Sequence, residues 1–379
     1  MKFKVKIPAR INVLGNPSDA NEGEHQTISA AVDLYGEAVC ERADVLTFEF
    51  LDKPPTEFGK PVSRYEIKSD LDLEYGDDFD LFKAAVNILL KHSGEFREAN
   101  GSKLAPKISF HTGIPRQSGL GGSTVLLALA LVSLVRFYKL DPRKHNLYVL
   151  GELIQRAEEK ELGITCGFAD RYVPLFGDIS YLDYRGKLFH KPIFEEPFVT
   201  YEKLGGFIDS FPLVLVYTGL EHDSGDVHGK MRKMYLEEYL RFTGDYDNAP
   251  PLVRIMKQVG DTAWKGKVAL LEADWDKFGA LMNENHRLVD EMMRYCGFTG
   301  GAGDANNRMI RAGLDAGALG AKLTGAGGGG SVFMLTRPGK EEKLAEFLKG
   351  KLDQYGYKNG RVYIPAIAAE GLTVTDIEQ

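Results

Sequence analysis

The sequence predicts a two-domain α+β protein, and three observations carry that expectation. The chain has 379 residues, more than one hydrophobic core usually organises. Its first half reads as strands interleaved with helices, whereas after Pro197 long helical patterns take over. Two glycine-rich stretches, Gly113–Thr124 and Lys322–Leu335, fall one in each half. The change of character places a boundary near residues 195–210, giving an N-terminal unit over about 1–200 and a C-terminal unit over about 205–379.

Met1–Ile7 alternates as a strand, and Val5–Gly15 carries it into the bend Asn16-Pro-Ser-Asp-Ala-Asn21. That bend suits either a solvated connector or an edge that hydrogen-bonds sugar hydroxyls. Ala38–Leu51 and Arg64–Lys68 read as strands around the Pro- and Gly-bearing Lys53–Pro61. Phe79–His92 carries Leu81, Phe82, Ala85, Val86, Leu89 and Leu90 at helical spacing. A strand at Lys107–Thr112 leads through the first glycine stretch into the apolar helix Val125–Tyr138. A further helix, His145–Gly163, is acidic towards its end at Glu158, Glu159 and Glu161. Gly163–Tyr172 breaks the periodicity and sets Asp170 beside Arg171; on pattern, Asp170 suits a helix-start cap or a surface pair. Asp178–Tyr184 is a strand. In the second half, strand Phe211–Tyr217 and polar loop Thr218–Gly225 precede helices at Val227–Arg241, Leu252–Leu271, Trp275–Tyr295 and Asn306–Ala316. Two short strands flank the second glycine loop, and helix Lys340–Tyr355 and strand Val362–Ala366 follow. His286 and Met292-Met293 read as packing or a solvated face, with no chemistry assigned.

Hydrophobic residues make up 44% and charged residues 27%, an ordinary globular balance, and the net charge of −7 argues against a general nucleic-acid or anionic-membrane binder. Cys40, Cys166 and Cys296 are far apart, so neither a disulfide framework nor a zinc site is expected. The N-terminus lacks a signal peptide's apolar core, and the run near Val125–Val135 is too short to span a bilayer. The expectation is a soluble cytoplasmic protein.

A glycine turn between strand and helix lets main-chain N–H groups converge at a helix N-terminus, where orphan donors and the helix dipole both favour an anion. Gly119, Gly121 and Gly122 permit close backbone approach, and Ser123 and Thr124 can cap the helix or turn their hydroxyls to phosphate or a phosphate-bound metal. No Gly-Lys-Ser/Thr closes the loop and no Gly-x-Gly-x-x-Gly is present. Alone, the turn fits a capped core helix as well as a nucleotide site.

Three motifs taken together narrow the reading. Pro8-Ala-Arg-Ile-Asn-Val-Leu-Gly15, Pro115-Arg-Gln-Ser-Gly-Leu-Gly-Gly-Ser123 and Lys322–Ser331 resemble, in this order, the three motifs of the kinase superfamily of galactokinase, homoserine kinase, mevalonate kinase and phosphomevalonate kinase (GHMP). Gly15-Asn-Pro-Ser-Asp19, Ile114–Gln117, Glu161–Ile164 before Asp170-Arg171, and Asp223–His228 are similar to plant-type glucuronokinases. Gly122 stands where the phosphate loop usually has serine, and Phe168-Ala169 where those enzymes tend to show Leu-Gln.

The resemblance implies a two-domain GHMP-kinase fold, with an N-terminal domain like domain 2 of ribosomal protein S5 and a ferredoxin-like C-terminal domain with extra helices. It implies ATP and Mg²⁺ and transfer to the anomeric hydroxyl of a monosaccharide, D-glucuronate being favoured. The loop Pro115, Gly119, Leu120, Gly121, Gly122, Ser123 and Thr124 would hold the triphosphate. Ser123 and Glu159 would bind the metal, with Glu158 a close rival. Asp170 would be the general base and Arg10 its basic partner. Asn16, Ser18 and Asp19 would meet the sugar. Arg116 or Arg171 would meet a uronate carboxylate, Arg116 serving alternatively phosphate or structure. Gly325, Gly327 and Gly328 would approach the substrate from the second domain. Another GHMP acceptor (a heptose phosphate, galacturonate, galactose, arabinose or mevalonate) is the alternative, and a silent nucleotide or sugar sensor the second. The implied partners are small molecules only, with no nucleic acid and no membrane, for a monomer or homodimer.

Overall fold

The computed structural model describes residues 1–67, 72–100, 104–187, 191–220, 224–325 and 327–378. The chain opens with β1 (Lys2–Leu14) and a single helical turn at Ser18–Ala20. Then come β2 (Gln26–Ala43), β3 (Leu46–Leu51), β4 (Pro61–Ile67), α1 (Asp80–His92), α2 (Gly94–Asn100), β5 (Ala105–Thr112), α3 (Gly122–Phe137), α4 (Leu147–Arg156), α5 (Ala169–Phe176), β6 (Ile179–Asp183) and β7 (Thr200–Lys203). The second half adds β8 (Leu213–Tyr217), α6 (Ser224–Tyr239), α7 (Pro251–Leu271), α8 (Trp275–Tyr295), α9 (Asp304–Asp315), β9 (Gly320–Thr324), β10 (Ser331–Leu335), α10 (Glu341–Tyr355), β11 (Arg361–Tyr363) and β12 (Thr373–Asp376).

The first sheet runs β12-β1-β2-β5-β3-β4, with β6 beside β2 and β7 beside β6. β1 alternates half-buried and buried residues up to Ile7 and is buried throughout beyond it, because one face is covered at the start and both faces later. The long β2 pairs through Gly36–Ala43 with β5 and through Gln26–Ala30 with β6. Only β3 and β5 run parallel, joined through β4 and α1. Phe48, Phe82 and Phe110 tie the helical layer to the sheet, with Phe82 and Phe110 centroids 4.4 Å apart. The second sheet, β11-β8-β10-β9, is antiparallel and has its own core, including Val214, Val216, Met256, Met292 and Leu348. β12 returns from this half to pair with Phe3–Lys6 of β1.

Several expected boundaries move. Ala38–Leu51 is two strands, split at the polar Asp44, and the first of them starts at Gln26. The strand over Arg64–Lys68 is β4 as far as Ile67; Lys68 lies outside the described residues. The acidic end of His145–Gly163 leaves the α-helix for a π-turn, Ala157–Glu161. The broken stretch before Tyr172 holds the start of α5. Residues 221–223 of the Thr218–Gly225 loop, which include Asp223 of the Asp223–His228 motif, and Ala326 of the second glycine loop fall outside the described residues. Among the described residues no helix is long and apolar enough to cross a membrane.

Candidate active site

Four pieces of chain meet at one cleft of about 660 Å³: the middle of β1, the loop before α3, the π-turn with the start of α5, and the second glycine loop. Arg10 and Asn12 are two residues apart on β1 and so share one face. The Arg10 guanidinium grips Asp170 in bidentate fashion, Nε to Oδ1 and Nη2 to Oδ2 at 2.5 Å each, and its Nη1 donates to the Gly119 carbonyl at 2.5 Å. Asn12 Nδ2 adds a hydrogen bond to Asp170 Oδ1 at 3.1 Å, and the Ser29 hydroxyl donates to Asn12 Oδ1, which fixes the amide's orientation. Asp170 lies in the first turn of α5. Burial pushes its carboxyl up, but Arg10, Arg171 and Asn12 outweigh that and hold it well below the usual carboxylate range. The cap of α5 comes from another residue: Ala169 N–H donates to Asp19 Oδ2 at 3.0 Å.

Around the corner, Glu158 in the π-turn accepts from Thr124 Oγ1 at 3.1 Å and from Ser123 Oγ at 3.3 Å, and Arg171 pairs with its other side. Glu159 turns instead to Gln155 and does not line the cleft. The carboxylate facing Ser123 is therefore Glu158, because the π-turn's extra residue rotates the following positions off the α-helical face. Arg171 is buried and committed to Glu158 and the Gly167 carbonyl, leaving only Nε without a partner. It is not a free cation awaiting a ligand. Arg116 is exposed at the cleft with no side-chain partner among the described residues.

In the first glycine loop Gly121 caps α3 at φ 80°, a left-handed conformation suited to glycine. Pro115, Gly119, Gly121, Gly122, Ser123 and Thr124 line the cleft, whereas Leu120 is core and its carbonyl accepts Arg10 N–H at 3.2 Å. The two glycine loops touch. A Cβ on Gly119 would lie 2.7 Å from the Thr324 carbonyl oxygen, and one on Gly325 would lie 2.9 Å from Gly119 Cα. Gly325 lines the cleft, but a Cβ on Gly327 would meet Met293, and Gly328 bonds to the Ala302 carbonyl; neither lines the cleft.

In the loop after β1, Asn16 and Asp19 line the cleft and Ser18 does not; its hydroxyl points to the Gln26 carbonyl. Asn16 donates to Asp19 Oδ1 at 3.2 Å, leaving its own Oδ1 buried and unpartnered. Burial and the neighbouring Asp170 raise the Asp19 pKa. Sequence reasoning missed Asn12 and His228. The two-residue spacing from Arg10 was the available signal for the first. The second sits on α6 one turn before Arg232, which holds the loop after β1 at Ala20 and Glu22. Lys322, fully buried beneath Arg10, is lowered to about 7 by burial and by the Arg10 charge.

A glycine loop at a helix start, an Arg-held aspartate facing it, and a hydroxyl–carboxylate cluster between them are an arrangement that suits phosphoryl transfer. Residues 80–178 match the GHMP kinases N terminal domain and residues 267–354 the GHMP kinases C terminal family. Probable glucuronokinase 2 of Arabidopsis thaliana is 31% identical over 91% of this chain and 87% of its own length. Mevalonate kinase of Pyrococcus furiosus is 26% identical over 100% of this chain and 99% of that protein. The crystal structure of Lactococcus lactis galactokinase complexed with galactose superposes with a TM-score of 0.74 at 17% identity, covering 98% of this chain and 95% of that one. The chain belongs to the GHMP kinase family. It is a phosphotransferase acting on an alcohol group, with ATP the donor that the family implies.

Proposed function

We propose that this kinase transfers the γ-phosphoryl group of ATP to the anomeric hydroxyl of a monosaccharide, and that D-glucuronate is the acceptor. The observation that carries the catalytic reading is the bidentate Arg10–Asp170 pair facing the start of α3 across one cleft. The uronate reading draws on the glucuronokinase relative and on Arg116, an exposed guanidinium at the cleft with no side-chain partner among the described residues.

The main-chain N–H groups of Gly119–Thr124 cradle the triphosphate at the helix N-terminus. Ser123, Thr124 and Glu158 offer two hydroxyls and one carboxylate, a hard-oxygen set that fits Mg²⁺, an ion that keeps waters and phosphate oxygens in its shell. When bound, Mg²⁺ would draw charge from the phosphate oxygens. Arg171 orients Glu158 from behind. Asp170 is ionised at neutral pH and accepts the hydrogen bond of the attacking hydroxyl, taking its proton late, as the new O–P bond forms. Arg10 stabilises charge on the group in transit. Asn16 Oδ1 accepts from a sugar hydroxyl.

The test is ATP- and Mg²⁺-dependent ADP release with glucuronate, galacturonate, glucose, galactose, arabinose, heptose 7-phosphate and mevalonate. Turnover on glucuronate that vanishes in Asp170→Asn is expected. Turnover only on a neutral or phosphorylated acceptor would remove the uronate assignment and leave the kinase. Mevalonate is the second acceptor to weigh, since the archaeal mevalonate kinase matches the whole chain and mevalonate too carries a carboxylate. Preference for mevalonate over every sugar would decide for it.

A further inference from the structure

β1 is paired on one side with β2 along nearly its whole length, but on the other side β12 reaches only Phe3–Lys6. Beyond Ile7 that edge has no strand neighbour among the described residues, yet it is buried, so each outward-facing main-chain group needs a partner from elsewhere. Pro8 has no N–H to satisfy. Arg10 N–H donates to the Leu120 carbonyl of the phosphate loop. Asn12 N–H donates to Thr324 Oγ1 at 3.0 Å, and the Asn12 carbonyl accepts from Lys322 Nζ at 2.9 Å. Gly15 N–H donates to Asn285 Oδ1 at 2.9 Å. Side chains of the second half thus stand in for a missing strand.

Lys322 is the unusual member. Its ammonium is fully buried and, among the described residues, has no carboxylate partner; it is spent on the carbonyls of Asn12 and Leu323, at 2.9 and 2.7 Å. Burying an unpaired ammonium is costly, and Arg10 close by adds like-charge repulsion. An apolar residue would pack β9 without that cost but would leave the Asn12 carbonyl unsatisfied.

We infer that Lys322 and Thr324 of β9 are positioning residues that clamp the Asn12 main-chain N–H and C=O along the open edge of β1 and thereby hold the Arg10 and Asn12 side chains in register with Asp170. The inference rests on the Arg10–Asp170 pair being the catalytic one. The clamp makes the second sheet part of the geometry at the acceptor, since a displacement of β9 moves β1 with it.

Thr324→Val removes the hydroxyl at nearly constant volume, and Lys322→Met removes the ammonium. Each is expected to lower kcat about 10-fold while the KM for ATP stays within about 2-fold, the pattern of misplaced catalytic groups and not of lost binding. Hydrogen exchange in peptides spanning residues 9–14 is expected to quicken in Thr324→Val, and Thr324→Ser to restore both exchange and kcat. Unchanged exchange and kcat in both variants would overturn the clamp, as would a rise in KM for ATP with kcat intact, or a serine variant as impaired as valine. Exchange does not depend on the acceptor. If Asp170→Asn kept full turnover, the catalytic reading would fall and exchange alone would decide the clamp.

Discussion

Arg10–Asp170 and Arg171–Glu158 are two arginine–carboxylate pairs in one cleft, supplied in part by adjacent residues, yet they are built differently. In the first, two parallel hydrogen bonds occupy both carboxylate oxygens and Asp170 keeps one-fifth of its side chain exposed. In the second, both partners are almost wholly buried, and Arg171 spends its other terminal nitrogen on the Gly167 carbonyl. Glu158 therefore keeps an oxygen for the Ser123 and Thr124 hydroxyls. A saturated pair fixes a charge in place; a half-engaged pair leaves a carboxylate oxygen turned to the hydroxyls at the start of α3, which on the proposed function serve acceptor and phosphate respectively.

The comparison can be broken most severely at the first pair. Asp170→Ala is expected to lower kcat by about 10²–10⁴-fold, measured by single-turnover ADP formation, with ATP still bound. Acid separates these charged pairs from a neutral buried group. Burial lowers His25 to about 4 from 6.5, so as pH falls through that interval the unfolded chain takes up a proton that the folded state refuses. Stability is expected to drop by up to about 3 kcal/mol across that window. Asp170, held well below the usual range, stays charged in the fold, and its own loss of stability falls mainly below that window, as the unfolded carboxylate takes up a proton. Asp19, pushed up by burial, works in the opposite sense, so the difference between wild type and His25→Gln in denaturant titrations isolates the histidine.

At the second pair, Glu158→Gln is expected to raise the Mg²⁺ concentration for half-maximal rate by about 10–100-fold, and Glu159→Gln to change it by less than about 2-fold. Equal effects would erase the distinction between the two glutamates. Arg116→Ala is expected to raise KM for an acidic acceptor by about 10-fold, the scale of one charge-assisted hydrogen bond, leaving KM for ATP unchanged. Uniform loss would assign Arg116 to phosphate or to structure. Smallest of all, Gly122→Ser is expected to alter kcat/KM by less than about 2-fold, because a Cβ there makes only ordinary contact with Ile114 at 3.5 Å.

Much of this is legible in the amino-acid sequence. The first glycine loop is readable as a short local pattern, Arg10 and Asp170 only through the resemblance that the three motifs carry together, and the apolar runs of α1, α3, α7 and α8 mark their helices. Legibility failed where geometry depends on one residue of phase. Glu158 and Glu159 differ by a rotation that the π-turn sets and no α-helical spacing reveals. Ser18 sits in the motif beside Asp19 yet faces Gln26, since a tight turn sends successive side chains in different directions. Arg171 read as a free cation because its partner, thirteen positions back, lies on a separate element. Gly327 and Gly328 belong to a glycine run in which, among the described residues, Gly325 makes the close approach to the cleft, while Gly327 packs against Met293 and Gly328 bonds to Ala302. Strand β12 carried too few apolar residues to be read at all.

That last strand bears on the order of assembly. Phe3 lies opposite Asp376 in the β1–β12 register, so the outermost contact of the first sheet closes a loop containing nearly the whole chain. Loop closure of that span is entropically late, and during synthesis its second partner emerges only after every element of the second sheet. The strand that carries Arg10 therefore waits on the ribosome with its outer edge unpaired, and the sheet made first is finished last.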